Sequence, residues 1–309
     1  MSPSASATLA SAYAACERDA RSHYENFPVA SLLLPKAMRP HVAAVYAFAR
    51  AADDFADEGQ RSVEERHALL DAWLRRLHHA VSSDEPGPAP RTGEPSNAVE
   101  IFIAVGASIR THSLPVTLFE DLVSAFRQDI QTTRYASWTD LLDYCRRSAN
   151  PVGRLVVRIA GYRDAIFDAQ SDSLCTALQL TNFWQDLRID FRRGRIYMPA
   201  VERAAHGAID EDLAGRRISD AWRHAVAAAT DRTRALFMAG RPLCDAVGGP
   251  LRYELRATWL GGMRILDHLE KSGFDPVFIR PQLGVADAPW FAWRMATWQS
   301  TVVRTPRSL

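Results

Sequence analysis

The sequence predicts an all-α protein, on three observations. Apolar residues recur at three- and four-residue spacing along most of the chain. Alanine, leucine and arginine are abundant. No alternating apolar–polar pattern lasts long enough to make a strand. At 309 residues the chain could hold two average domains, and it equally suits one large helical domain spanning 1–309 with a core of about 20–272.

Residues 37–58 read as one helix, opening near Pro40 and closing at Gly59. Further helices are expected over 62–80, 97–112, 115–132, 138–149, 152–162, 168–189, 216–240 and 250–271. The stretch SSDEPGPAPRTGEPSN, residues 82–97, reads as an exposed loop between two helices. Pro276, Pro281, Pro289 and Pro306 predict that the tail, 273–309, is mostly non-helical. Its segment PWFAWRMATW is expected to pack on the helical body, with membrane contact as the alternative.

Composition narrows the function. Basic and acidic residues number 37 and 36, leaving a net charge of +1 and no basic field for nucleic acid. Cys16, Cys145, Cys175 and Cys244 show no zinc spacing and read as reduced thiols of a cytoplasmic protein. The N-terminus lacks a basic region followed by an apolar one, so no secretory signal is expected. No apolar run approaches the ~20 residues that span a bilayer.

Two acidic constellations carry chemistry. In YAFARAADDFADEG, residues 46–59, Tyr46, Arg50, Asp53 and Asp57 fall on one helical stripe, and Val45, Phe48, Ala52 and Phe55 fall on a core-facing one. Carboxylates four residues apart repel by ~0.2–0.5 kcal/mol on an exposed helix, and by more when desolvated. A divalent cation relieves that repulsion, and two carboxylates with water and phosphate oxygens suit Mg²⁺. Alone, the stripe reads equally well as a solvated helix end before a capping Gly59.

The second constellation, LQLTNFWQDLRIDFRRGRIYMP, shifts that balance. Gln179, Asn182, Asp186 and Asp190 again form one stripe, on a helix otherwise lined by Leu178, Leu180, Phe183, Trp184 and Leu187. Such a polar stripe is costly to bury unless it binds something. Two acidic pairs with adjacent arginines suit a diphosphate leaving group, whose charge Mg²⁺ neutralises as the C–O bond breaks. The cation left behind requires a dry aromatic pocket, for which the chain has 13 Phe, 8 Tyr and 8 Trp.

These residues resemble the two aspartate-rich motifs of squalene and phytoene synthases. Three further segments are similar to that family: His23-YENF-Pro28, Tyr144-CRRSANPV-Gly153, and LRYELRATWLGGMRILDHLE near 250–271. The resemblance implies an isoprenoid synthase fold, a single helical bundle around a deep central cavity with the motifs facing each other. It implies Asp53, Asp57, Asp186 and Asp190 as ligands of two or three Mg²⁺ ions with diphosphate. It also implies Arg50, Asn182 and Tyr144 as diphosphate contacts, Gln179 near the prenyl chain and Phe27 as a pocket wall. His23 and Arg195 are further substrate-binding candidates.

The chain departs from the family pattern at four places. Gln185 stands where Arg is usual, Arg188-Ile189 replaces Gly-Glu, Asn150-Pro151 replaces a Gly-containing kink, and Asn26 replaces Ser. These departures, with ENFPVASLLLP, YAFARAADD, CRRSANPVG and NFWQD, most resemble the bacterial hydroxysqualene synthase branch of hopanoid biosynthesis. That branch implies ionisation of presqualene diphosphate, rearrangement and capture by water, without NADPH, and no Gly-rich dinucleotide fingerprint is present. The alternatives are head-to-head condensation of two prenyl diphosphates and, in another class, a non-catalytic assembly or scaffold protein. The lipid substrate implies weak peripheral contact with the inner face of the cytoplasmic membrane, and functional coupling to other squalene-pathway enzymes.

Overall fold

The computed structural model describes residues 3–22, 33–83, 85, 87–215 and 218–299. Among them the regular structure is helical, and an isolated bridge, Arg134 to Ile196, is the extent of β pairing. The residues group into two compact units, Met1–Thr132 with Arg146–Asp168, and Thr133–Cys145 with Ala169–Leu309.

The first unit is built on α1 (Pro3–Ser22), α2 (Arg39–Asp57), α3 (Val63–Ser82), α4 (Ala98–His112), α5 (Val116–Asp129) and α7 (Asn150–Ile159). Helix α2 is its centre, touching α1, α3, α4, α5 and α7. Its Phe48 and Phe55 pack on Trp73 of α3, whose indole N–H donates to the Phe48 carbonyl at 3.2 Å. Helix α1 was not expected from the sequence. It buries small residues, Ala12, Ala15, Cys16 and Ala20, so it approaches its neighbours closely without presenting a bulky apolar stripe. In the Pro-rich stretch, residues 87–97 carry neither helix nor strand, and they are tethered from beneath. Arg76 of α3 donates to the Pro88 and Ala89 carbonyls at 2.7 and 2.8 Å and pairs with the buried Glu94 at 2.7 Å.

The second unit holds α6 (Trp138–Ser148), α8 (Ala165–Gln185), α9 (Leu187–Arg192), α10 (Ala200–His206), α11 (Asp220–Gly240), α12 (Leu243–Ala246), α13 (Gly249–Lys271) and α14 (Ala288–Ala296), with the last residues of α6 and the first of α8 assigned to the first unit. Helices α8, α11 and α13 meet through small residues. A Cβ on Gly240 would stand 2.8 Å from the Leu174 amide, and one on Gly262 would overlap the Phe237 ring. The Trp184 indole N–H donates to Thr233 at 2.8 Å inside this contact.

One sequence expectation needs correction here, and the tail gains a detail. The helix read over 168–189 breaks at Asp186, which separates α8 from α9. The tail contains a helix, α14, because Pro289 falls in its first turn, where a missing N–H costs nothing.

Candidate active site

The candidate residues divide between the two units. In the first, α2 buries Val45, Phe48, Ala52 and Phe55, which leaves Tyr46, Arg50, Asp53 and Asp57 on its other side, partly or largely exposed. Arg50 lies among acids of its own helix and its C-cap, 3.5 Å from Asp53, 2.8 Å from Asp54 and 2.9 Å from Glu58. The end of α2 is held by arginines that the sequence reading did not single out. The chain turns at Gly59, whose φ of +73° favours glycine. Around that turn Arg66 donates to the carbonyls of Phe55, Ala56, Glu58 and Gly59 at 3.0, 2.5, 3.3 and 2.9 Å. Arg61 donates to the Asp54 and Glu58 carbonyls. Apart from the Asp54 carbonyl, which also accepts the Glu58 N–H at 3.0 Å, these carbonyls lie past the last helical donors, and cations at a helix C-terminus also meet its dipole favourably.

In the second unit, Gln179, Asn182, Asp186 and Asp190 are half-buried between the buried Leu180, Phe183, Trp184 and Leu187. The stripe survives the break between helices. The Asp186 N–H donates to the Asn182 carbonyl and the Asp190 N–H to the Asp186 carbonyl, both at 2.9 Å. Asp186 Oδ1 accepts from Arg280 Nε at 2.5 Å, a partner 94 residues away that sequence spacing could not suggest. Its neighbours also bind the tail: Gln185 Nε2 donates to the Pro281 carbonyl at 2.6 Å, and Arg188 to the Val277 carbonyl at 2.8 Å.

Tyr144 is buried in a ring cluster in this unit. Its centroid lies 5.6 Å from Tyr135, 6.2 Å from Phe183 and 6.1 Å from Tyr197, and Phe183 stacks on Tyr197 at 3.7 Å. The loop carrying Arg195 and Tyr197 is fixed by its backbone. The Arg195 N–H donates to the Asp190 carbonyl at 2.8 Å and the Ile196 N–H to the Thr133 carbonyl at 3.0 Å. His23 and Phe27 lie outside the described residues. None of the four cysteines is in a disulfide, and burial pushes the thiols of Cys16 and Cys244 up to about 12, which suits packing rather than nucleophilic chemistry.

The squalene/phytoene synthase family model matches residues 20–290. The chain belongs to that family. It is an isoprenoid synthase of the kind that acts on prenyl diphosphates, with the all-α fold of squalene-synthase-type enzymes. A hydroxysqualene synthase of Zymomonas mobilis is 39% identical over 215 residues, 69% of this chain and 67% of that protein. A 15-cis-phytoene synthase of Synechococcus elongatus is 29% identical over 281 residues, 87% of each. Among solved structures, the squalene synthase HpnC from Alicyclobacillus acidocaldarius is 40% identical with a TM-score of 0.77, covering 87% of this chain and 96% of that one.

Proposed function

We propose that this family member ionises presqualene diphosphate, rearranges the resulting cation and captures it with water, giving hydroxysqualene and diphosphate. The observation that carries this reading is the 39% identity to a hydroxysqualene synthase. The family match runs through both units, which supports reading 1–309 as one squalene/phytoene synthase-like domain.

The donor sets suit Mg²⁺. Asp53 with Asp57, and Asp186 with Asp190, offer only hard oxygen ligands. No group of three or more Asp, Glu, His or Cys side chains converges on one point among the described residues. Each pair would therefore hold an ion together with water and diphosphate oxygens, as Mg²⁺ prefers. Bound there, the ion supplies charge neutralisation for the departing diphosphate. Arg50, Asn182 and Tyr144 hydrogen-bond the diphosphate in this reading, and Gln179 lies along the prenyl chain. His23, Phe27 and Arg195 complete the substrate contacts. In this reading the buried cluster of Tyr135, Tyr144, Phe183 and Tyr197 forms an aromatic wall that keeps water from the carbocation until capture. The reaction consumes water and no hydride, so NADPH is not required.

The phytoene synthase match favours a second reading, head-to-head condensation of two prenyl diphosphates. A paired assay separates the two. Purified protein with Mg²⁺ and without NADPH is given farnesyl diphosphate in one tube and presqualene diphosphate in the other. Hydroxysqualene from presqualene diphosphate alone is expected. Presqualene diphosphate or a C30 hydrocarbon from farnesyl diphosphate would overturn the first reading in favour of the second.

No helix of the described residues is long and apolar enough to cross a membrane. Weak contact with the inner face of the cytoplasmic membrane is supported by exposed Phe278, Ile279, Leu283 and Trp293, and by Val285, which is 92% exposed. Retention by anionic liposomes at low salt is expected, and complete absence from the pelleted liposomes would refute the contact.

A further inference from the structure

The sequence leaves Gln185 and Arg188 without a role, as the two departures that flank Asp186. Both make bonds, and both bonds go to one segment. Gln185 is buried, only 7% exposed, and its amide donates to the Pro281 carbonyl at 2.6 Å. Arg188 reaches the Val277 carbonyl at 2.8 Å. Between those acceptors lies Arg280, whose Nε bonds Asp186 Oδ1.

The segment is also anchored on either side. Buried Asp275 accepts from the Phe278 N–H at 2.9 Å and pairs with Arg223 at 3.4 Å. Beyond it, His268 meets the Gln282 carbonyl at 3.0 Å, and Asp287 pairs with Arg264 at 2.6 Å and His268 at 3.0 Å. The outer anchors fix where the segment begins and ends, and the two middle bonds fix its height over the break between α8 and α9.

We infer that Gln185 and Arg188 are positioning residues that clamp residues 277–281 onto this break and so hold the Arg280 guanidinium against the Asp186 carboxylate. The inference rests on the reading of Asp186 as part of the diphosphate site. The chemistry explains the residue types. At position 185 a buried side chain must donate to a carbonyl, and a neutral amide does so without the cost of desolvating a charge. Pro281 keeps its carbonyl for that bond and brings no N–H that would need a partner. The positive charge arrives instead on Arg280, from a segment 94 residues away, with its side chain 36% exposed. Bonding through Nε fixes the carboxylate by Oδ1 and leaves Oδ2 without a protein partner among the described residues. The clamp thus orients a carboxylate before its ligand arrives, and such orientation is a known contribution of groups that surround a metal ligand.

The experiment combines Gln185→Leu and Arg188→Met, singly and together, with Arg188→Lys as the conservative rescue. Native-state hydrogen exchange of the ligand-free protein comes first, since it needs no substrate. Each single variant should speed exchange of the amides of residues 277–280 by about 3- to 10-fold, as expected for one lost hydrogen bond. Exchange in the middle of α13 should not change, and Arg188→Lys should restore protection. Unchanged exchange at 277–280 in the double variant would overturn the clamp, whatever the protein's activity. The second readout is calorimetric binding of inorganic pyrophosphate with Mg²⁺. The double variant should bind it at least about 10-fold more weakly than the parent, as expected if two hydrogen bonds are lost. Faster exchange with unchanged pyrophosphate affinity would leave the clamp in place and overturn the reading of Asp186 as a diphosphate-site residue.

Discussion

The two acidic pairs solve one electrostatic problem in different ways. On α2, Asp53 is 39% exposed and its counter-charge is local, from Arg50 one turn before it. At the break between α8 and α9, Asp186 is 17% exposed and takes its counter-charge from Arg280, far along the chain. The helices differ to match. Helix α2 runs straight to a turn at Gly59, where Arg61 and Arg66 take up its last carbonyls. The second motif sits at a break, held by side-chain bonds to the 277–281 backbone. A solvated carboxylate pair can be managed within one helix. A more deeply buried pair needs a partner that only the tertiary fold delivers.

The largest effect is expected from removing one carboxylate at each site. Asp53→Asn and Asp186→Asn should each lower turnover by about three orders of magnitude, roughly 4 kcal/mol of lost transition-state stabilisation, with unchanged far-ultraviolet circular dichroism. Asp186→Asn should also loosen residues 277–280 in hydrogen exchange, because Asp186 bonds Arg280. Near-parental turnover in either variant would remove that pair from the chemistry.

Next in size is packing behind the second motif. Gly262→Ala forces a Cβ into the Phe237 ring where α13 meets α11, and should cost about 1–3 kcal/mol, visible as a fall of several degrees in Tm. An unchanged Tm would show that this contact has room to spare.

Removing the cap of the first motif should matter less. Arg66→Met leaves four helix-terminal carbonyls without that donor, at a cost of about 1 kcal/mol given their exposure. A modest rise in KM with a small drop in Tm is expected, and Arg66→Lys should recover part of both.

A further effect, confined to low pH, is acid sensitivity in the first unit. His41 sits beside Tyr13, Ser108 and His112, and burial, then the neighbouring His112, lowers its pKa from 6.5 to about 4. Burial, then nearby Arg163, also lowers that of His112. Between about pH 6.5 and 4 the unfolded chain binds a proton that the native His41 refuses, so stability falls as pH drops through that window. His41→Gln should flatten the decline of Tm between pH 6.5 and 5. An equal slope would remove His41 as its source.

These residues also show what the sequence could reveal. The α2 stripe was legible because a repeat of three and four residues is a property of one helix. Tyr46, Arg50, Asp53 and Asp57 fall opposite the buried Val45, Phe48, Ala52 and Phe55 as that repeat requires. The second stripe was legible as spacing, but its break at Asp186 was not, since the bonds that occupy Gln185 and Arg188 come from residues 277–281. Gln185 and Arg188 therefore read as losses, whereas the fold gives each a partner. Helix α1 escaped notice because it packs through alanines, and α14 because a proline in a first turn resembles one that ends a helix.

In the proposed reaction a carbon–oxygen bond breaks to give a cation that water then captures. Turnover of presqualene diphosphate in ¹⁸O-water, with both products weighed by mass spectrometry, tests it most directly. Hydroxysqualene two mass units heavier, with unlabelled diphosphate, is the predicted result. Label in the released diphosphate, with an unlabelled and unrearranged alcohol, would mean attack at phosphorus and no carbocation.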